Sequence, residues 1–467
     1  MDLTVDLSGR SDRASALYRA LLDAVRSGRL RAGDRLPPTR ALARDLGIAR
    51  NTVATAYERL TAEGYLEARV GAGTFVSDVV TRPSDARRKG ALRPRRSWRW
   101  EPSPVSGAQP VPRYDFRVGI PDAGLFPFDS WRRMLASEWR LGGDTPGTYA
   151  DPAGPLRLRE AVARYVAYSR GVTADPDDVI ATQGTQQALD LIARVLLEPG
   201  DLVAVEDPGY PFARDVFALA GARVVPVPVD DEGLVVSRLP ARTRLVFTTP
   251  SHQFPLGPPM SLARRQALLE YAATHDTAII EDDYDSEFRF VERPLDTLHR
   301  LDTAGRVIYV GTFSKSLLPS LRAGYLVAPP SLRQALRAAR QLADSHGSTP
   351  TQAALARFIE EGLLARHIRK AAKVYAARRA LLTDAIGEHL GLRPIPSAAG
   401  LHLAVFLDDG IGIAARAAEE GIAVDSVASY TAGEGGRDGL VFGYGAVVTE
   451  TIEPGLRRLA RLSGRVS

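Results

Sequence analysis

Between residues 179 and 328 the chain repeats one pattern, a short apolar run followed in several cases by a longer stretch with apolar residues at helical spacing. The apolar runs fall at 179–181, 202–205, 224–227, 244–248, 278–280, 307–310 and 324–328, and the helical stretches include 185–197 and 261–275. A strand apolar along its whole length is covered on both faces, and strands separated by helices tend to run parallel. The pattern predicts a large α/β domain with a mostly parallel, doubly covered sheet, beginning near residue 114. After a long helical region at 331–390, residues 391–467 read as a smaller α+β lobe.

Ahead of this body, residues 13–76 read as a separate compact unit. Leu17, Leu21, Leu22 and Val25 recur at helical spacing, and the helix ends at Ser27-Gly28. After Pro37-Pro38, Thr39 is placed to cap a second helix that runs to Leu46; Gly47 breaks it, and residues 51–63 continue as a third. Two short helices around a glycine turn make a helix-turn-helix pattern. Residues 65–70 and 74–76, either side of Gly71-Ala72-Gly73, read as the two strands of a wing, and Leu42, Leu46, Val53, Tyr57 and Leu60 as core.

Charge separates this front from the body. Residues 1–77 carry a net +3 and 78–113 a net +6, so the chain's overall +5 leaves −4 for the remainder. The second segment holds prolines at 83, 94, 102, 104, 110 and 112 with almost no apolar periodicity, which marks a linker. Its Arg87-Arg88-Lys89 run and the arginines at 93–99 read first as a solvated tether, and second as contacts to a DNA backbone. The expected organisation is therefore 1–77 winged helix, 78–113 linker, 114–390 large domain with interdomain helices, and 391–467 small lobe. A basic front on a mildly acidic body suits a polyanionic partner at one end only. The 467 residues contain no cysteine, which removes disulfides, cysteine-ligated zinc or iron–sulfur sites and a thiol nucleophile. No metal is expected. The start, MDLTVDLSGRSD, has neither the basic opening nor the apolar stretch of a secretory signal, and no run of 18 apolar residues occurs, so a cytoplasmic chain without a membrane span is expected.

In a helix-turn-helix the second helix enters the major groove with its N-terminal residues toward the base edges. Here those residues are Ala49, Arg50, Asn51, Thr52 and Thr55, and Arg50 and Asn51 carry side chains that read guanine and adenine edges. Thr39 and Arg40 in the preceding helix, with Arg69, Gly71 and Gly73 in the wing, complete the candidate DNA face; double-stranded operator DNA is the expected partner. The segment LPPTRALARDLGIARNTVATAYERLTAEGYLEARVGAGTFVS resembles the GntR-family winged helix along its whole length.

Four segments of the body suit one cofactor. In YVGTFSKSLLPSLRAG, residues 309–324, Lys315 follows a strand in a small, hydroxyl-rich loop, with Arg322 seven residues on: an amine for a Schiff base and a guanidinium for a phosphate. Gly184-Thr185-Gln186 opens a helix after a strand and offers free amides to an anion. In Glu206-Asp207-Pro208-Gly209-Tyr210 the two acids read as solvated turn charges, while the Tyr210 ring can stack on a planar heterocycle. Glu281-Asp282-Asp283-Tyr284 ends a buried strand, where acids need a cationic partner.

Together these segments resemble a fold-type I, class I aminotransferase over about residues 115–460, and with the winged helix in front the chain resembles a MocR/GabR-type transcriptional regulator. The resemblance implies pyridoxal 5′-phosphate as cofactor, with Lys315 as its Schiff-base lysine, Asp282 at the pyridinium nitrogen, Tyr284 at the phenolic oxygen and Tyr210 stacked on the ring. It implies a phosphate site made by Gly184, Thr185, Gln186, Thr312 and Arg322, completed by Tyr149 from a partner subunit, and hence a homodimer. Glu281 and Asp283 are rivals to Asp282, which is favoured. Two departures stand out. Phe254, in TPSHQFPLG, occupies the place of an asparagine beside the phenolic oxygen, so either His252 or Gln253 substitutes or the contact is absent. Val441 occupies the place of the arginine that clamps a substrate α-carboxylate, with Arg437 four residues upstream and expected to be exposed. Efficient amino-acid transamination is therefore doubtful. Three functions follow: a regulator sensing an amine effector, a regulator sensing the cofactor itself, or a working aminotransferase whose DNA-binding module confers autoregulation.

Overall fold

The computed structural model describes residues 12–78, 93–95, 98–100, 111–140, 147–290, 296–433 and 436–464, and the chain divides into two compact units, Met1–Gly107 and Ala108–Ser467. The Arg87-Arg88-Lys89 run lies outside the described residues.

In the first unit, α1 (Arg13–Arg26) begins at Asp12, whose carboxylate accepts the Ser15 amide. Helix α2 (Thr39–Asp45) departs from the expectation for Thr39. Pro38, extended at ψ 145°, is the cap residue, and Thr39 is already helical and makes no capping bond. Proline lacks an N–H and prefers the extended region, so it fits just outside the helix and moves the start back by one residue. After the turn at Gly47, α3 spans Arg50–Ala62. Strands β1 (Leu66–Arg69) and β2 (Gly73–Val76) pair antiparallel. Leu17, Leu21 and Val25 of α1 close a core with Leu42, Val53, Tyr57, Leu60, Leu66 and Val76, while Leu46 packs at its edge. The Tyr57 hydroxyl donates to the Pro37 carbonyl at 2.9 Å, tying α3 to the entry of α2.

The second unit opens with β3 (Tyr114–Asp115), α4 (Phe128–Glu138) and α5 (Leu156–Arg170). The alternation follows: β4 (Val179–Thr182), α6 (Thr185–Leu196), β5 (Leu202–Asp207), α7 (Pro211–Leu219), β6 (Arg223–Asp230), β7 (Gly233–Leu234), β8 (Thr243–Thr248), α8 (Leu262–His275), β9 (Ala278–Asp283), α9 (Leu298–Leu301), β10 (Val307–Thr312) and β11 (Gly324–Val327). These eight strands form one sheet in the order β4-β11-β10-β9-β8-β5-β6-β7. The pairs linking β10, β9, β8, β5 and β6 are parallel; β11 runs antiparallel to both its neighbours, and β7 antiparallel to β6. Side-chain alternation splits the sheet. Ile180, Ile280, Ile308, Val310 and Leu326 pack with α6 and α7 on one face; Ile279 and Val307 pack with Leu268 and Leu298 on the other, where Tyr309 and Val179 meet α5 and the helix carrying Leu355 and Phe358.

The chain then runs through α10 (Arg333–Asp344), α11 (Thr349–Glu360) and the long α12 (Leu363–Leu390) into β12 (His402–Phe406), α13 (Gly410–Glu419), β13 (Ile422–Ala423), β14 (Asp425–Ser426), β15 (Gly439–Gly443) and α14 (Ile452–Leu462). Strand β15 lies between β12 and β14. The small lobe draws on more of the chain than residues 391–467. Strand β3 pairs with β13, and Tyr114 and Phe116 share a core with Tyr375 and Leu382 of α12. The segment after β3 is thereby led from the small lobe toward the large sheet.

Candidate cofactor site and DNA-contacting face

Strand β9 ends in three consecutive acids, and the alternation of a strand sends them to opposite faces. Glu281 and Asp283 are both engaged on the face away from α6. Glu281 accepts the Leu298 and His299 amides at 3.0 and 2.8 Å; Asp283 accepts from Arg170 Nε at 2.7 Å and from the Tyr309 hydroxyl at 2.6 Å. Asp282 points to the α6 side, where Thr185 Oγ1 donates to it at 3.3 Å. Burial, and then the charge of Asp283, push the Asp282 carboxyl up to about 8, with Thr185 and Lys315 pulling the other way. A buried carboxylate so placed is short of a cation, and a protonated ring nitrogen is one.

Lys315 lies just beyond β10, and its Nζ donates to the Gly119 carbonyl at 2.7 Å. Gly119 sits at φ +78°, and a Cβ there would stand 2.6 Å from Nζ, so a side chain at residue 119 would be strained and would displace the amine from this place. Burial lowers the Lys315 pKa against the pull of Asp285 and Asp282, which favours the neutral, nucleophilic amine. Across from it, α6 starts at Gly184, with φ +97° and no side chain capping the first amides. The Arg322 guanidinium lies 3.3 Å from where a Gly184 Cβ would be, and among the described residues no carboxylate pairs with it. Open amides at a helix start beside an unpaired guanidinium are an anion site. Thr185 is half-buried and Gln186 exposed there, while the Thr312 hydroxyl, buried, accepts the Ser314 amide at 3.1 Å.

The Tyr210 ring meets Phe254 edge-on at 5.9 Å, and its pKa is raised by burial and then by Asp282, with Arg322 opposing. The expectation of solvated acids beside it is corrected. Glu206 is 2% exposed and accepts from Thr248, Thr249 and Gln253, while Asp207 accepts the amides of Ala432 and Gly433 at 2.6 and 3.0 Å. The end of β5 is covered by β8 and by the small-lobe loop, so neither acid is a free turn charge. Of the two residues expected to stand in beside Tyr284, Gln253 is spent on the Pro208 and Phe254 carbonyls. His252 is the one in reach, its Nδ1 2.9 Å from the Tyr284 hydroxyl and 2.9 Å from Asp285 Oδ1.

Two residues of this region escaped the sequence reading. Asp285 follows Tyr284 directly, and His402 arrives from β12, 150 residues from His252, with its ring 4.5 Å from that of His252. Val441 is buried against Leu256, Ala404 and Val427, and Arg437 is exposed, its guanidinium 3.7 Å from the Phe406 ring centre. Tyr149 stands 86% exposed on its own chain.

In the first unit, Arg40, Arg50, Asn51 and Thr55 are exposed and Thr39 and Thr52 half-buried, with Arg50, Asn51, Thr52 and Thr55 forming the start of α3. Thr55 Oγ1 donates to the Asn51 carbonyl at 2.9 Å, which leaves its lone pairs outward. In the wing, Gly71 and Gly73 flank the exposed tip, and Arg69 pairs with Glu67 while lying 4.8 Å over the Phe75 ring. Arg69 is thus held against the wing rather than extended as a free charge.

Two family models match: that of the bacterial regulatory proteins of the gntR family over residues 13–76, and that of aminotransferase class I and II over residues 115–441. The chain belongs to the MocR/GabR type of transcriptional regulators. It is similar to the probable rhizopine catabolism regulatory protein MocR of Rhizobium meliloti, at 42% identity over 80% of this chain and 77% of that one. It is also similar to the pyridoxine biosynthesis transcriptional regulator PdxR of Corynebacterium glutamicum, at 33% identity over 92% and 91%. The body of this MocR-type chain matches the solved structure of Pyrococcus horikoshii kynurenine aminotransferase in complex with PMP, at 31% identity and a TM-score of 0.69 over 74% of this chain and 89% of that one. The fold is thus that of a fold-type I aminotransferase behind a GntR winged helix. The donor set fits pyridoxal 5′-phosphate: a buried amine, an acid short of a cation, an open helix start with an unpaired guanidinium, and an aromatic ring between them.

Proposed function

We propose that this MocR-type regulator senses the availability of its cofactor, or of an amine without an α-carboxylate, and that it works as a homodimer in the cytoplasm. The cofactor is pyridoxal 5′-phosphate, and the winged helix binds DNA. Among the described residues no helix is long and apolar enough to cross a membrane.

When bound, the cofactor supplies an electrophilic carbonyl and an electron-accepting ring. In this reading the chain does the rest. Lys315 offers its amine, its pKa lowered by burial, from a half-buried position, Asp282 holds a proton at the ring nitrogen, and Tyr210 covers the ring. The amides of Thr185 and Gln186, with Thr312 and Arg322, hold the phosphate, and Tyr149 of each protomer reaches toward its partner's site.

The observation that carries the choice of signal is Val441. Its position on β15 faces Leu256, Ala404 and Val427, and the nearest arginine in sequence, Arg437, is stacked on Phe406. An arginine–carboxylate hydrogen-bonded pair contributes roughly 1.5–3 kcal/mol, about 10- to 150-fold in affinity, which common amino acids forgo here. The relative named for pyridoxine biosynthesis favours the cofactor over an amine as signal. The test titrates the twenty amino acids against the visible absorbance of the cofactor-loaded protein and compares DNA binding with and without cofactor. Micromolar spectral conversion by one α-amino acid, with DNA binding indifferent to the cofactor, overturns the reading.

A further inference from the structure

The Tyr284 hydroxyl has two contacts to one residue. It lies 2.9 Å from His252 Nδ1 and donates to the His252 carbonyl at 3.1 Å. His252 Nδ1 also lies 2.9 Å from Asp285 Oδ1, and the Leu401 amide donates to Asp285 Oδ2 at 3.1 Å. A carboxylate only accepts, so the Nδ1 atom carries the ring hydrogen and shares it between Asp285 and the Tyr284 oxygen. The tyrosine oxygen is then an acceptor toward His252, and its own hydrogen, here donated to the His252 carbonyl, is the one that turns to reach the cofactor.

The surroundings favour that arrangement. Asp282, Asp283 and Asp285 from the end of β9 and Glu206 from β5 raise the Tyr284 pKa beyond the effect of burial, so the phenol stays protonated and acts as a donor. His402, on the facing strand β12, has its pKa driven well below the ordinary value by burial and by the His252 ring, with Lys315 adding to it. His252 Nε2 and His402 Nε2 are buried without a hydrogen-bond partner among the described residues. Phe254 meets both Tyr284 and His402 in edge-to-face contacts, with ring centres 5.8 and 5.6 Å apart.

We infer that His252, oriented by Asp285, is a positioning residue that fixes and polarises the Tyr284 hydroxyl as the donor to the cofactor's phenolic oxygen. This rests on the reading of Tyr284 as the partner of that oxygen. A hydrogen bond donated to the tyrosine oxygen makes its O–H a stronger donor in turn, because chained hydrogen bonds polarise one another. A stronger donor stabilises the deprotonated phenolic oxygen and lowers the pH at which the bound cofactor changes absorbance.

The experiment records the visible absorbance of the cofactor-loaded full chain against pH, together with the melting temperature of the cofactor-free chain. His252→Phe keeps the ring and removes the donor, and is expected to raise the spectral midpoint by roughly half to one pH unit, the worth of one hydrogen bond. His252→Asn, whose amide nitrogen can stand near the place of Nδ1, is expected to restore most of the shift. Tyr284→Phe is expected to raise the midpoint at least as far, and His252→Phe on top of it to add nothing. A midpoint that His252→Phe leaves within about 0.2 units of wild type, while Tyr284→Phe moves it, overturns the inference, as does an equal His252→Phe shift in the Tyr284→Phe background. A structural role alone would lower the melting temperature and leave the midpoint in place, which also overturns it. Should Tyr284→Phe itself leave the midpoint unmoved, the underlying reading of Tyr284 fails instead. Where His252→Phe does not fold, Asp285→Asn carries the same expectation of a raised midpoint, and an unmoved midpoint there counts equally against the relay.

Discussion

Asp282→Asn separates two roles of the same side chain. In the cofactor-free chain the Asp282 carboxyl is pushed up to about 8 by burial and by Asp283, against an ordinary value near 4. The folded state therefore binds this proton more tightly than the unfolded chain does. The sign follows: the group costs nothing below about pH 4, and stability is lost as pH rises from about 4 to about 8. Four units at about 1.4 kcal/mol each give a ceiling of about 6 kcal/mol, and solvent screening and relaxation around the charge bring the expected figure at pH 8 to about 2 kcal/mol or more. Asparagine keeps the shape and an acceptor for Thr185 but has no charge to bury. Urea unfolding of cofactor-free protein is expected to show the variant equal to wild type near pH 4 and more stable by that amount at pH 8. The same variant is expected to bind the cofactor more weakly, because the ring nitrogen loses its counter-ion. A stability difference that does not grow between pH 4 and 8, or a variant less stable at pH 8, would refute the placement of an uncompensated carboxylate at residue 282.

The neighbouring acid gives the opposite outcome. Arg170→Ala strands Asp283 and Glu287, both buried and both paired with that guanidinium, so urea unfolding is expected to show a loss of about 3–5 kcal/mol. Arg322→Ala removes the unpaired guanidinium at the start of α6, and equilibrium dialysis is expected to show cofactor affinity down about 10- to 150-fold with the cofactor-free melting temperature little changed. In the first unit, Arg50→Ala is expected to cost about 1–3 kcal/mol on a specific DNA site and much less on random DNA, measured by fluorescence anisotropy at fixed salt.

The sheet is legible because each of its inner strands contains a continuous apolar run, and Lys315 because a small, hydroxyl-rich loop follows β10. The choice among Glu281, Asp282 and Asp283 was only half legible. Adjacent residues of a strand face opposite ways, but which way depends on α6 and α9, brought there by the topology. Glu206 and Asp207 look solvated in the sequence because a turn after a strand is exposed unless another lobe covers it, and the cover comes from residues near 432. Thr39 has the residue type of a cap, yet the proline before it fixes the extended conformation one position earlier. His402 and Asp285 were illegible in their roles. A histidine within an apolar strand gives no sign that a ring 150 residues away will lie against it.

The most direct test of cofactor sensing measures one affinity twice. The full-length protein selects its own site from a random DNA library, and anisotropy then gives its affinity for that site with the cofactor bound and after removal, at the same salt concentration, with Lys315→Ala as a third sample. Cofactor-loaded protein is expected to differ from cofactor-free protein at least several-fold, and Lys315→Ala to behave as cofactor-free whatever the amount of pyridoxal 5′-phosphate added. Equal affinity in all three samples would contradict cofactor sensing and leave the aminotransferase-like body without a part in DNA recognition.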